Sequence, residues 1–179
     1  MKTAFVTGAS SGFGRAICCT LIGKGYRVVG GARRMDKLKA LEDELGVNFI
    51  PLALDVTDPE SLEKAVEQLR EASLQIDLLV NNAGLALGVD RAQTSSAANW
   101  QQMIDTNITG LAMVTHKILP QMVEADSGMI INIGSIAGTY PYPGGNVYGA
   151  SKAFVRQFSL NLRADLAGTR VRVLSLIHI

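Results

Sequence analysis

The sequence predicts a three-layer, doubly wound α/β fold built on a parallel sheet. Three observations carry this expectation. Short β-branched runs alternate with longer helical patterns, as β-α-β units do. The strand-like runs, among them L-L-V at 78–80 and M-I-I-N-I at 129–133, are nearly continuous in apolar residues, which suits strands covered on both faces. A glycine-rich turn, T-G-A-S-S-G-F-G at 7–14, joins the first strand to the first helix.

Taken in order, residues 3–7 read as a buried strand and 12–25 as a helix opening on glycines. Residues 26–32 form a second strand, followed by a charged helix over 35–45 and a third strand over 49–54. Asp58 and Pro59 open a helix that reaches about residue 72. There Asp58 is the expected N-cap, and Pro59 falls at the first helical position, where its missing N–H costs little. A fourth strand covers 77–81, a long helical region runs from 100 to about 123, and a fifth strand covers 128–135. A helix over 147–166 and a sixth strand over 170–176 complete the pattern. Without repeats, linkers or low-complexity segments, one domain is expected over 1–174, with an atypical tail over 175–179.

Composition narrows the function classes. At 179 residues, 47% hydrophobic and 18% charged, the chain can bury a real core. A net charge of +1 with no long run of one sign argues against a nucleic-acid or membrane-surface partner. Adjacent Cys18 and Cys19 point in different directions on a helix, so they read as packing thiols of a reducing compartment. The first apolar run is too short for a signal peptide, and no stretch approaches the roughly 18 apolar residues of a membrane helix. A soluble cytoplasmic protein is expected. His116 and His178 are isolated, so no metal site is expected.

The glycine turn points to a dinucleotide. Gly8 permits a tight turn, Gly12 lets the backbone approach a pyrophosphate, and Gly14 allows close packing of the helix on the strand. The helix N-terminus offers N–H donors and a positive dipole end, to which Ser10 and Ser11 add hydroxyls beside Phe13. The second strand ends V-V-G-G-A-R-R, with no carboxylate before Asp36. An acidic side chain there suits the ribose of NAD, whereas Arg33 and Arg34 suit the 2′-phosphate of NADP. Asp55 and Val56 close the third strand, and Asn82, Ala83 and Gly84 the fourth, all at the edge where ligands bind. Asp55 either contacts the adenine or serves a local turn.

Tyr148 and Lys152 stand four apart in Y-G-A-S-K, on one face of a helix. A phenol is a poor acid/base at neutral pH, and a neighbouring ammonium favours its ionised form. The pair suits proton transfer at a carbonyl oxygen while a cofactor supplies hydride. Ser135, ending the fifth strand, is placed to hydrogen-bond the substrate oxygen. Asn107 is a polar residue on an apolar helix, either a local helix-bending hydrogen bonder or a group holding a water beside the lysine.

Together these motifs resemble the short-chain dehydrogenase/reductase family over residues 1 to about 174: T-G-A-S-S-G-F-G, N-N-A-G and Y-G-A-S-K stand in the family's order. The resemblance implies a Rossmann-like fold, with Tyr148 as acid/base and Lys152 supporting it and binding the nicotinamide ribose. It also implies that Ser135 orients substrate and that Asn107 completes a proton relay. The stretches N-N-A-G-L-A-L-G, W-Q-Q-M-I-D-T-N and G-G-N-V-Y-G-A-S-K-A-F-V-R-Q-F-S-L-N-L-R are similar to the NADP-dependent 3-hydroxy acid dehydrogenase branch. Its members are also described as serine or allo-threonine dehydrogenases and malonic semialdehyde reductases. This likeness implies small 3-hydroxy acids or semialdehydes as substrates and a homo-oligomer at full length. A carboxylate-bearing substrate wants a cation, for which Arg156 and Arg163 on the Tyr148 helix are candidates. A broad-range carbonyl reductase and an inactive NADP-binding module stay open.

Family members continue after the sixth strand with Pro-Gly, a substrate-covering segment and a further strand. Here V-R-V is followed by L-S-L-I-H-I, so the sequence reads as an enzyme whose C-terminal part is missing, with a naturally shortened chain as the alternative. Such a chain lacks the lid that excludes water and leaves its sixth strand as an open edge.

Overall fold

The computed structural model of the chain describes residues 1–178, and side chains as far as Ile177. Six strands form one parallel sheet: β1 (Thr3–Thr7), β2 (Arg27–Ala32), β3 (Phe49–Ala53), β4 (Leu78–Asn81), β5 (Gly128–Ser135) and β6 (Val171–His178). The spatial order β3-β2-β1-β4-β5-β6 reverses direction between β1 and β4, which opens a crevice at the carboxyl ends of those two strands. The helices are α1 (Gly12–Gly23), α2 (Met35–Leu45), α3 (Pro59–Glu71), α4 (Ala97–Ile104), α5 (Leu111–Glu124) and α6 (Asn146–Asp165).

Alternation along the strands divides the core in two. Phe5, Val29, Leu79 and Ile130 point to one face, where Leu62 and Val66 of α3, Ile118 of α5 and Leu162 of α6 cover them. Ala4, Val6, Val28, Leu78 and Val80 point to the other, against Cys18 of α1 and Leu38 and Leu41 of α2. Each large side chain so buried contributes roughly 1.5–3 kcal/mol. The expectation of cover on both faces holds for β1 and β4 but only half for β5. There Met129, Ile131 and Ile133 are partly buried, because the helices packed on β5 are α5 and α6, both from the first face.

Local signals account for the boundaries. The Asp58 carboxylate accepts the Glu60 N–H at 2.9 Å with Pro59 at the helix start, as expected. Ser96 caps α4 through the Asn99 N–H. Cys18 lies in the core, where burial, with Cys19 beside it, pushes its thiol up to about 12; it packs rather than reacts. The single helix expected over 100–123 is instead α4, a π-helical turn over Asp105–Gly110, and α5. The cause is tertiary. Gly110 packs so closely on Val56 that a Cβ there would lie 2.8 Å from its Cγ2, and Asn107 is held by bonds outside its own helix. The sixth strand runs on to His178, pairing with β5 as far as Ser135, so 174–178 lie in the sheet; Ile179 lies outside the described residues.

Phe49 is buried in the second core, where its ring covers Gly30 so closely that a Cβ on the glycine would collide with it. Replacing Phe49 by alanine leaves that space empty and is expected to cost about 3–5 kcal/mol, read as a lowered denaturation midpoint with an unchanged slope in urea.

Candidate functional site

The crevice between β1 and β4 forms a cleft of about 530 Å³. Its floor at one end is the turn between β1 and α1. Gly8 and Gly12 have φ of +68° and +54°, a region glycine enters without strain. A Cβ on Gly14 would collide with the Gly8 carbonyl oxygen and come within 2.6 Å of Asn82 Nδ2. Gly14 therefore lets α1 approach the turn and the β4 end, rather than the strand itself. Nothing lies within 4 Å of a Cβ on Gly12, which faces open space. No side chain caps α1: the Ser11 hydroxyl is turned away from the helix, leaving the first N–H groups of α1 to the cleft.

The Ser10 and Ser11 hydroxyls instead accept hydrogen bonds from Arg34 Nη2, at 3.0 and 2.7 Å. Arg33 reaches toward Asp55, with 3.9 Å between Nη1 and Oδ2. Asp55 Oδ1 accepts from both the amide and the hydroxyl of Thr57, at 3.0 and 2.8 Å, so the carboxylate does build the local turn. It also lines the cleft, as do Val56, Asn82, Ala83, Gly84 and Phe13.

Asn82 and Thr7 lock the two strand ends together. The Thr7 hydroxyl accepts the Asn82 and Ala83 N–H groups at 3.1 and 3.0 Å, and Asn82 Nδ2 donates to the Thr7 carbonyl at 2.9 Å. Thr7 was not among the expected site residues. Its only sequence signal is its place just before Gly8, which any strand residue would share.

At the other end of the cleft stand Tyr148 and Lys152, from the first turns of α6. Lys152 is buried. Its Nζ donates to the Ile133 carbonyl at 2.9 Å and lies 5.8 Å from the centre of the Tyr148 ring. Burial lowers the ammonium's pKa from its usual value, because the charged form loses hydration. Asn107 does not line the cleft; it stands behind it, almost fully buried. Its Oδ1 accepts the Leu85 N–H at 2.9 Å, and its Nδ2 donates to the Leu85 carbonyl and the Ser151 hydroxyl at 2.8 and 3.0 Å. A Cβ on Gly84 would lie 3.3 Å from Asn107 Oδ1 and 3.6 Å from Lys152 Nζ, so both groups face the same small space.

Ser135 lines a neighbouring cavity of about 170 Å³, which shares Gly134 and Lys152 with the cleft and is also lined by Arg156 and Arg163. Its hydroxyl accepts the Ala137 N–H at 3.2 Å. Arg163 Nε donates to the Val173 carbonyl at 2.8 Å, so this arginine is tied to β6, while Arg156 faces the cavity. Among the described residues no group of His, Cys, Asp and Glu could hold a metal ion, and no helix is long and apolar enough to cross a membrane.

The cleft fits a dinucleotide on its own geometry. Glycines give backbone access, a helix N-terminus is uncapped by any side chain, and a guanidinium is held at the β2 end. All fifteen cofactor candidates named from the sequence line it: Gly8, Ser10, Ser11, Gly12, Phe13, Gly14, Arg33, Arg34, Asp55, Val56, Asn82, Ala83, Gly84, Tyr148 and Lys152.

Comparison with known proteins agrees with this geometry. The sequence model of the short chain dehydrogenase family matches residues 2–177. A "probable NADP-dependent dehydrogenase" of Haemophilus influenzae is 57% identical over 171 residues, 96% of this chain and 68% of that protein. The NADP-dependent 3-hydroxy acid dehydrogenase YdfG of Escherichia coli K12 is 54% identical over 168 residues, covering 94% of this chain and 68% of that one. The closed form of a serine dehydrogenase complexed with NADP+ superposes with a TM-score of 0.95 at 51% identity, over 98% of this chain and 71% of that one. The chain belongs to the short-chain dehydrogenase family.

Proposed function

We propose that this chain carries the cofactor site and the proton-transfer residues of an NADP-dependent oxidoreductase acting on small 3-hydroxy acids or the matching semialdehydes. The observation that carries the reading is the single cleft joining the Arg34–Ser10–Ser11 cluster at one end to Tyr148 and Lys152 at the other. The relatives named for NADP and for 3-hydroxy acids support it. A homo-oligomer at full length belongs to the same reading.

When bound, the nicotinamide supplies or accepts hydride. The protein's own residues do the rest. The α1 N-terminus and the Gly8–Gly12 turn hold the pyrophosphate, and Arg34 and Arg33 meet the 2′-phosphate. Tyr148 takes the hydroxyl proton in oxidation and returns it to the carbonyl oxygen in reduction. Lys152 holds its charge beside the phenol and reaches the ribose. Asn107, whose Oδ1 faces the space shared with the Lys152 ammonium, holds a water beside the lysine, and that water carries the proton onward. Ser135, at the β5 end next to Gly134 of the cleft wall, supports the substrate oxygen.

Three outcomes test this. Arg34→Ala removes a charge-assisted contact of about 1.5–3 kcal/mol, so NADPH affinity is expected to fall roughly 10- to 150-fold by fluorescence titration while NADH affinity stays near its starting value. Equal losses for both cofactors would remove the 2′-phosphate assignment. Tyr148→Phe is expected to lower kcat for 3-hydroxybutyrate or serine with NADP by about 10²–10⁴ with cofactor binding intact; unchanged turnover would exclude the phenol as acid/base.

The third concerns pH. Lys152 has a lowered folded pKa, so between that value and 10.5 the unfolded chain binds the extra proton and stability rises with pH. Below the folded pKa both states are protonated and the burial cost is fully present. Wild type should therefore gain stability relative to Lys152→Met as pH climbs through that window, measured by chemical denaturation, with a flat difference below it.

A further inference from the structure

Ser151 stands inside Y-G-A-S-K, between Tyr148 and Lys152, and the function proposed above gives it no role; no solvent reaches it. Its hydroxyl donates to the Tyr148 carbonyl at 2.7 Å, which commits its single proton. A lone pair is then left to accept from Asn107 Nδ2, at 3.0 Å. The Asn107 carboxamide in turn holds both backbone groups of Leu85. A continuous chain of hydrogen bonds thus runs from the first turn of α6, through Ser151 and the π-helical turn, to the segment following β4.

We propose that Ser151 is a positioning residue that locks Tyr148, Lys152 and Asn107 into one rigid unit, an inference that rests on the function proposed above. The geometry explains why a hydroxyl is wanted here. An alanine would leave one Asn107 N–H buried without a partner and would release the tie to Tyr148. The π-helical turn belongs to the same device. With Gly110 seated against Val56, the extra residue of the turn lets Asn107 face α6 while Met103 and Leu111 on either side stay buried. Ser151 meets Tyr148 only at its backbone carbonyl, and the residues lining the cleft do not include it. It acts only through the groups it holds.

The test compares Ser151→Ala and Ser151→Cys with wild type, and places Ser151→Ala also in an Asn107→Ala background. Ser151→Ala removes both bonds of the hydroxyl, and loss of the link to Asn107, about 1 kcal/mol, predicts a fall in kcat of roughly 5- to 10-fold, with the acidic limb of the kcat–pH profile displaced. KM for the hydroxy acid and NADPH affinity are expected within about twofold of wild type. The cysteine variant, with a weaker donor, falls between. In the Asn107→Ala background the further loss should shrink below about twofold, since the partner is already gone. Amide hydrogen exchange of Leu85 should quicken by about as much as kcat falls, beyond any change in the slowest β1 amides. If Ser151→Ala lowers only the melting temperature, and leaves kcat, its pH profile and Leu85 exchange unmoved, the hydroxyl is helix packing and the proposal fails. Losses that multiply across the two positions would also overturn it. Leu85 exchange decides the tie without turnover, so a failure of the proposed reaction, seen as normal activity in Tyr148→Phe, is distinguishable from a failure of this link.

Discussion

β1 and β4 are neighbours in the sheet, yet their following segments leave in opposite directions, and one clasp keeps them together where they part. The Thr7 hydroxyl holds two consecutive N–H groups of the β4 end, and the Asn82 carboxamide returns a bond to the Thr7 carbonyl. Backbone groups at strand ends would otherwise be left to water or bent away from the crevice. With the clasp in place, Gly8 turns back over Asn82 and Gly14 can seat α1 against both. The cofactor end and the segment supporting Asn107 are therefore referenced to the same point, and the distance across the cleft is set by the sheet rather than by loops.

A second set of buried polar bonds does for the helices what the clasp does for the strands. Asn81 and Asn132 face each other across β4 and β5, and Asn81 Nδ2 donates to both Asn132 Oδ1 and the Thr115 hydroxyl. Asn132 Nδ2 reaches Ser159 on α6. Each bond adds only about 0.5–1.5 kcal/mol net, but an unmade one costs about 1–3, so the network penalises any slip of α5 or α6 along the sheet. Lys152 lies one helical turn before the Val155–Ser159 pair and takes its own acceptor from Ile133, the next strand residue. α6 is thus held by its polar face below the cleft, and its lysine is buried at a cost that burial of an apolar side chain would avoid.

What the sequence revealed and what it hid divide along the range of the forces involved. The glycine turn, the Asp58 cap and the Tyr148–Lys152 pair were legible because each depends on backbone geometry within a few residues. The succession of strands and helices followed from apolar runs and their alternation with helical patterns. The π-helical turn was not legible, since it arises from Gly110 against Val56 and from Asn107's bonds to Leu85 and Ser151, partners 22 and 44 residues away. Thr7 and Ser151 escaped for the same reason: alone, each is an ordinary strand or helix residue. Ser135 was legible as a strand-end hydroxyl, but its place in a neighbouring cavity, with its oxygen accepting the Ala137 N–H, depends on the turn after β5. Asp55 kept both of its readings, since its turn bonds and its place at the cleft coexist.

The two arginines that suggested a phosphate are not equivalent, and the difference follows from their partners. Arg33 faces a carboxylate at 3.9 Å, so part of its field is cancelled before any ligand arrives. Arg34 is held by two neutral hydroxyls, which fix its guanidinium without offsetting its charge, and among the described residues it pairs with no carboxylate. Its position at the start of α2 is the mildly unfavourable one for a cation, so the helix dipole also argues against a purely structural role. Fixing a planar donor in advance removes much of the side-chain entropy a flexible arginine loses on binding. In the function proposed above, discrimination at this end of the cleft therefore rests mainly on Arg34, with Ser10 and Ser11 serving it by orienting the guanidinium as much as by any contact of their own.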